Sequence, residues 1–328
     1  MKILKIISSV FLIFCILFTF IFGKNLIVKD KELIEKSNYK GIINLWHIDT
    51  FEGGTGSRKQ FLLKVSREYE KERNGVLVFA TNHTINSVKE NFSKGIYPDI
   101  ISYGNGVDVN NLIELSVDKK FDSGIFNNKQ LIIPWCRGGY FLIKNNEYKK
   151  KKGDKKTLLV SSSEYNLPLT TLLDREKDFS IKIKSQYNAY LDFVSGESEY
   201  LLGTQRDIVR LTNRAFSYYA EPLSTFNDLF QYVSVIQTNN EKIDESLRFV
   251  EYLLSKKVQE RLNEIEMFSC FYPVAFDNEN MSSMQKITKF NTISPFNKSE
   301  FMLELKDASI KAYMGDKDKI NKLKKFII

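Results

Sequence analysis

The hydrophobic and polar positions between residues 41 and 103 follow two periods in turn, which predicts alternating strands and helices. The run from Gly41 to Ile48 is apolar and rich in β-formers. From Ser57 the apolar positions recur at helical spacing, as Phe61, Leu62, Val65 and Tyr69. A second strand is predicted at 76–80, a polar helix at 84–94 and a third strand at 97–103. This order is typical of an α/β unit with a largely parallel sheet.

The rest of the chain predicts a second unit reached by crossing strands. An extended apolar run at 131–143 contains Pro134 and the pair Gly138–Gly139, and we expect it to cross between two lobes. Beyond it the pattern predicts a strand at 158–160, helices at 186–194 and 199–202, and a strand at 207–211. After a second crossover, a strand is predicted at 229–236, with later helices from about 240, at 281–289 and at 299–313. The expected lobes are 41–134 plus 229–266, and 135–228 plus 267–328.

The first 23 residues indicate export. Lys2 and Lys5 precede 18 residues, Ile6 to Gly23, without a charge. At helical rise that run spans about 27 Å, close to the hydrocarbon thickness of a bilayer. A cleaved signal peptide and an uncleaved membrane anchor both fit the pattern. We expect the protein in the periplasm or at the extracellular face of the cell membrane, with 24–40 as a spacer.

Composition favours binding over catalysis. The 328 residues include 2 His, and no CxxC, HExxH, GxSxG or P-loop pattern occurs, so little material is present for the common zinc, thiol-redox, hydrolase and nucleotide sites. We therefore expect no enzyme activity, no cofactor and no metal site. Outside the export segment only Cys136 and Cys270 remain, either as a pair or as two separate apolar side chains. The basic residues, which give the chain a net charge of +8, are not interleaved with aromatic residues as in an RNA-binding sheet, so we expect no nucleic-acid partner. We also expect a monomer.

Four stretches resemble the extracellular solute-binding proteins of ABC importers, in family 1 with the maltose-binding and other sugar-binding proteins. Ile42 to Glu70 resembles the first strand-to-helix unit of that family, and Tyr97-Pro98-Asp99-Ile100-Ile101 its P-D-I/V strand. Residues 200–207 are similar to its aromatic, glycine-containing segment of the second lobe. The most specific likeness is the helix 246–262, which carries the L-L-S-x-x-x-Q ending. The resemblance spans residues 41 to 313 and depends on the order and spacing of these motifs.

The resemblance implies an α/β, two-lobe periplasmic-binding-protein-like fold of type II, hinge-connected by crossover strands. It also implies a solute-binding subunit that captures a small solute, above all a carbohydrate, and delivers it to ABC permease subunits in the membrane. Sugar-binding relatives commonly carry a tryptophan in the second-lobe segment that matches 208–214, and this chain has none there. A peptide, polyamine or sugar phosphate as the solute, and an exported sensor or enzyme on the same scaffold, remain alternatives.

Candidate ligand residues follow from where solute binds in such folds, at the carboxyl ends of parallel strands and at the crossovers. The glycine-rich loop after the first strand offers backbone N–H groups and polar side chains, although its glycines also suit a simple turn. Aromatic rings suit sugars because a pyranose packs its C–H face on a ring. The candidates are Trp46, Asp49, Glu52, Gly54, Thr55, Arg58, Tyr103, Trp135, Arg137, Tyr140, Asn213, Arg214 and Asp228.

Overall fold

The computed structural model describes residues 39–51, 57–149, 155–175 and 179–328. The strands of this part are β1 Gly41–His47, β2 Val76–Asn82, β3 Ile100–Tyr103, β4 Ile125–Phe126, β5 Lys129–Gln130, β6 Ile133–Arg137, β7 Tyr140–Asn145, β8 Lys156–Ser162, β9 Phe179–Ser185, β10 Tyr200–Thr204, β11 Tyr218–Pro222 and β12 Phe230–Val235. Its α-helices are α1 Arg58–Glu72, α2 Ile85–Ser93, α3 Gln186–Val194, α4 Gln205–Asn213, α5 Asn240–Leu253, α6 Lys256–Gln259, α7 Glu279–Lys286, α8 Ser299–Tyr313 and α9 Lys317–Lys324. Short 3₁₀ helices lie at Asp122–Gly124, Pro168–Leu172 and Leu262–Ile265.

Two mixed five-stranded sheets form the two lobes. The first has the order β2–β1–β3–β12–β6, with β1 parallel to β2 and β3, and β12 antiparallel to β3 and β6. The second has the order β11–β7–β10–β8–β9, with β8 parallel to β9 and β10, and β7 antiparallel to β10 and β11. The predicted two-lobe α/β fold is confirmed, because the chain leaves the first sheet after β6 and returns to it at β12.

Packed layers lie on both faces of the first sheet, except near its β2 edge, where Ile42, Leu77 and Phe79 are exposed. On one face α1 packs through Phe61 and Val65 against Ile43, and α5 through Phe249. The Ser57 side chain accepts the N–H of Gln60 at 3.1 Å and so caps the start of α1. On the other face Trp46, Ile101 and Tyr103 pack under α2 and the segment 105–132. These layers fix the carboxyl ends of β1, β2 and β3 at one edge.

The chain crosses between the sheets at three places. The first crossover is Gly138–Gly139, between β6 and β7, so Trp135 and Arg137 lie on a strand of the first sheet. A Cβ atom on Gly139 would lie 2.7 Å from Met284 Sδ, so the backbone passes where a side chain does not fit. The second crossover joins β11 to β12. The third passes Phe268, whose N–H and C=O groups both bond to the backbone of Arg137 at 2.9 Å.

Two predicted elements of the second lobe are wrong in type. Residues 199–202 are predicted as helix, but 200–202 belong to strand β10, and 207–211 are predicted as strand but belong to helix α4. Asp207 accepts the N–H of Thr204 at 2.8 Å and forms a capping box with it, which starts a helix at the point where β10 ends. The pattern also missed β9, β11 and α9.

No helix within the described ranges is long and apolar enough to cross a membrane. The export segment predicted at 1–23 and the greater part of the spacer at 24–40 lie outside those ranges.

Candidate functional site

A cavity of about 560 Å³ opens between the lobes at the carboxyl ends of β1, β2 and β8. The first lobe lines it from the segments that follow β1 and β2, and the second lobe from the segment that follows β8. Its polar wall comprises Asp49, His83, Thr84, Asn86, Glu164 and Tyr165. The lining contains two carboxylates and no Lys or Arg among the described residues. This is the position where two-lobe α/β proteins hold their ligands.

A buried chain of hydrogen bonds positions Asp49 from behind. Ser102 Oγ accepts Trp135 Nε1–H at 2.9 Å and Gln231 Nε2–H at 3.1 Å. A hydroxyl has one proton left to give, so Ser102 donates it to His47 Nδ1, 3.0 Å away. His47 therefore carries its proton on Nε2 and donates it to Asp49 Oδ1 at 3.0 Å. A network of wholly buried side chains therefore holds the Asp49 carboxylate, a hydrogen-bond acceptor, at the cleft.

Arg58 completes the support of Asp49. Its Nε lies 2.8 Å and its Nη2 2.7 Å from Asp49 Oδ1, and its guanidinium stacks 4.1 Å from the ring centre of Phe51. Burial on its own would raise the pKa of Asp49, but the bond from His47 and the charge of Arg58 hold that pKa far below its usual range. The other oxygen, Oδ2, accepts no hydrogen bond from the described residues, and the side chain is 43% exposed. Asp49 is therefore an ionised acceptor that faces the cavity.

His83 presents a ring that a second aromatic supports. Trp46 stacks on it with ring centres 4.2 Å apart, while Thr81 Oγ1 and Ser87 Oγ lie 3.0 and 3.3 Å from its two nitrogens. Burial lowers the pKa of His83, so the ring is neutral at pH 7. Trp46, predicted to stack on solute, is 8% exposed and lies behind His83. His83 is not among the predicted ligand residues, although it directly follows strand β2.

Glu164 and Tyr165 form the opposite wall and were also missed. They follow β8, and Lys306 Nζ fixes this turn by donating to the carbonyls of Ser163 and Glu164. The Tyr165 ring packs so closely on Gly106 of the first lobe that a Cβ atom there would lie 2.2 Å from Tyr165 Cγ. Their signal in the sequence was position alone: an acidic and an aromatic residue just beyond a predicted second-lobe strand.

Asp228 and Tyr140, both predicted to bind solute, lie in the hinge. The Tyr140 hydroxyl donates to Asp228 Oδ1 at 2.7 Å, and the Leu167 N–H donates to Oδ2 at 2.8 Å. Asn105 of the first lobe donates its side-chain N–H to the Asp228 carbonyl at 2.8 Å. Burial raises the pKa of Asp228 to about 6 despite these bonds. The pair is wholly buried and joins the second crossover to both lobes.

Trp135 and Arg137 are buried as well, and Arg137 borders a second cavity of about 890 Å³. Trp135 is fully buried and stacks parallel to Phe61, with ring centres 5.9 Å apart, so it offers no face to the cavity. Arg137 Nη2 donates to the carbonyls of Met284 and Ile287 at 3.1 and 2.8 Å, at the carboxyl end of α7. Burial lowers the pKa of Arg137 to about 10. A cation at this helix end is favourable because the final carbonyls are unpaired and negative.

The remaining candidates divide between other places. Tyr103 is buried, lies 3.2 Å from Ser234 Oγ through its hydroxyl, and borders a separate cavity of about 470 Å³. Asn213 and Arg214 were placed at the cleft on the assumption of a strand, which is wrong because they end helix α4. Glu52, Gly54 and Thr55 lie outside the described residues.

The described ranges contain no group of three His, Cys, Asp or Glu side chains arranged to hold a metal ion. Cys136 and Cys270 are both free thiols rather than a disulfide. Burial raises the pKa of each of them. The polar side chains that line the cleft can donate and accept hydrogen bonds, and this is the chemistry that the geometry of the site provides.

Comparisons with known proteins identify the fold. No family model matches the sequence, and neither does any curated protein. Among solved structures, the sugar-binding protein MalE from the phytopathogen Xanthomonas citri matches with a TM-score of 0.60 at 13% identity, over 86% of this chain and 95% of that one. The GacH receptor of Streptomyces glaucescens, solved unliganded and with acarbose, matches with a TM-score of 0.58 at 15% identity, over 87% and 99%.

A third neighbour binds a different solute. Iron-bound HitA from Pseudomonas aeruginosa matches with a TM-score of 0.56 at 12% identity, over 82% of this chain and 99% of that one. These neighbours are binding proteins, and the chain shares their two-lobe fold. At such identities the likeness defines architecture and does not define the solute.

Proposed function

We propose that this protein is the solute-binding subunit of an ABC importer, exported to the outer face of the membrane or the periplasm, and that it passes a small solute to permease subunits. The observation that carries the proposal is the cavity between the lobes, with Asp49 held ionised at its wall by a buried network. Residues of both lobes line it, so closure around a solute would bring both sets of contacts into place.

The first candidate for the solute is a carbohydrate. Ionised carboxylates only accept hydrogen bonds, and sugar hydroxyls supply donors in pairs, which suits Asp49 on one wall and Glu164 on the other. The neutral His83 ring gives a flat surface beside them. Neighbours of the same fold include the sugar-binding MalE and the acarbose-binding GacH receptor.

A second candidate is a solute that carries an amine, such as a polyamine or an amino sugar. The described lining has two carboxylates and no Lys or Arg, which favours ammonium groups as well as hydroxyls and disfavours phosphate. The cleft therefore provides a physical reason to rank sugar phosphates last.

A thermal-shift screen of the full chain in detergent tests the proposal. The panel holds neutral saccharides, amino sugars, polyamines, peptides and sugar phosphates, and we expect a rise in melting temperature with one of the first three classes. For the solute found, Asp49→Asn and Glu164→Gln should each weaken binding about tenfold or more, since each removes a charged acceptor. Glu197→Gln, an exposed carboxylate of the second lobe, is the matched control. Stabilisation by sugar phosphates only, or by no compound in the panel, would contradict the assignment.

The alternative role as an exported sensor uses the same cleft and differs in the partner. Genes for two permease subunits beside this one favour import, whereas a neighbouring histidine-kinase gene favours sensing. Co-purification of the full chain with its neighbouring membrane proteins distinguishes the two roles.

A further inference from the structure

Helix α8 of the second lobe begins without a capping side chain of its own. Its N-cap residue is Lys298, whose side chain makes no capping hydrogen bond, and α8 packs on the second lobe through Met302 and Leu305. The first N–H groups of a helix have no partner inside the helix and usually take one from a Ser, Thr, Asp or Asn at that position. Lysine there leaves the start of α8 dependent on another part of the chain.

The first lobe supplies the missing cap. Asp108, in the segment after β3, accepts the Ser299 N–H on Oδ1 at 2.7 Å and the Ser299 hydroxyl on Oδ2 at 2.8 Å. Lys89 of α2, also in the first lobe, donates to the same hydroxyl at 3.0 Å. A carboxylate at a helix N-terminus gains both charge-assisted bonds and the favourable end of the helix dipole. All of these bonds cross from one lobe to the other.

We propose that Asp108 is a positioning residue that latches the lobes together by capping a helix of the opposite lobe. It holds the lobes in the arrangement of this structure without lining the cavity of Asp49 and Glu164, and its loss lowers affinity by opening the cleft. The inference rests on the proposed function, because closure matters for capture only if solute binds between the lobes. The latch itself is measurable without any solute.

The test measures the distance between the lobes in the solute-free full chain, in detergent, by pulsed electron resonance. Spin labels are placed on Ser93→Cys at the end of α2 and Glu197→Cys beyond α3, both exposed, with Cys15 and Cys270 replaced by Ser. Loss of an N-cap costs about 1 kcal/mol, so Asp108→Ala should lower the ratio of molecules at the wild-type distance to molecules at other distances about fivefold. Asp108→Asn, which keeps one acceptor oxygen, should fall between the two.

Two further variants separate a latch from a plain helix cap. Lys298→Asp, added to Asp108→Ala, gives α8 a cap within its own lobe; it should restore the melting temperature and leave the lobe distance altered. Glu300→Ala weakens the charge at the same helix start without crossing lobes, and should leave the distance unchanged. The proposal is overturned if Asp108→Ala keeps the wild-type distance, or if Lys298→Asp returns the distance to that of the wild type. Failure of the solute screen would contradict the proposed function and leave this measurement intact.

Discussion

At the scale of single residues, Ser102 is the centre of the network behind the cleft. Ser102→Ala removes the acceptor of two buried donors, Trp135 Nε1 and Gln231 Nε2, and the donor to His47. Buried donors without a partner cost about 1–3 kcal/mol each, so we expect the free energy of unfolding to fall by about 3 kcal/mol. Urea denaturation measures the loss. Ser93→Ala, at an exposed helix end, is the control, and an equal effect of both variants would refute the importance of the network.

The same network gives stability a pH dependence. Burial lowers the pKa of His47 below its unfolded value near 6.5, outweighing the opposing effect of Asp49. Between the folded and unfolded pKa values the unfolded chain binds more protons, so His47's contribution is complete above about pH 6.5 and declines as pH falls. Asp228, with its raised pKa, contributes in the opposite sense over this range, so the test is a difference: from pH 7 to pH 5 the wild type should lose more urea stability than His47→Gln does. Slopes that match between wild type and variant would contradict the assignment.

At the scale of elements, the turn after β3 is shaped to receive Tyr165. Gly106 has φ +84°, and a Cβ atom there would meet the Tyr165 ring, whereas Gly95 has φ +72° with nothing within 4 Å. Gly95→Ala should therefore cost about 1 kcal/mol of stability from backbone strain alone. Gly106→Ala should cost about 2–3 kcal/mol, because overpacking adds to that strain. Thermal or urea unfolding compares the two, and equal losses would show that the ring contact carries no weight.

A helix or strand was predictable where the residues within it determine its structure. Strand β1 and helix α1 were found because the period changes at Ser57, which caps the helix. Helix and strand are exchanged in the prediction for residues 199–211 because Tyr200–Thr204 is a short apolar run that fits either period, and because the spacing of apolar positions does not reveal the cap formed by Thr204 and Asp207.

At the scale of the whole molecule, the site depends on which strand ends the two sheets bring together. Asp49 was predictable because it follows the first strand. To predict Glu164 and His83 as site residues, one must know which segments of the two lobes face each other, and these segments are far apart in sequence. Trp135 and Arg137 were misjudged for the same reason: the crossover lies at Gly138–Gly139, which puts both residues inside the first lobe and under the hinge. Periodicity identifies buried faces, and it does not reveal which edges meet.

The two tryptophans should report capture differently, because only one lies next to the cleft. Trp46 stacks on His83 at the cavity wall, whereas Trp135 is wholly buried beneath helix α1. Solute that contacts His83 should change the emission of the Trp135→Phe variant, which keeps Trp46. The Trp46→Phe variant, which keeps Trp135, should show a much smaller change, since the first-lobe core moves as a rigid body when lobes close. Fluorescence titration with a solute identified by thermal shift makes the comparison. A response confined to Trp135 would place binding at the hinge and away from this cavity.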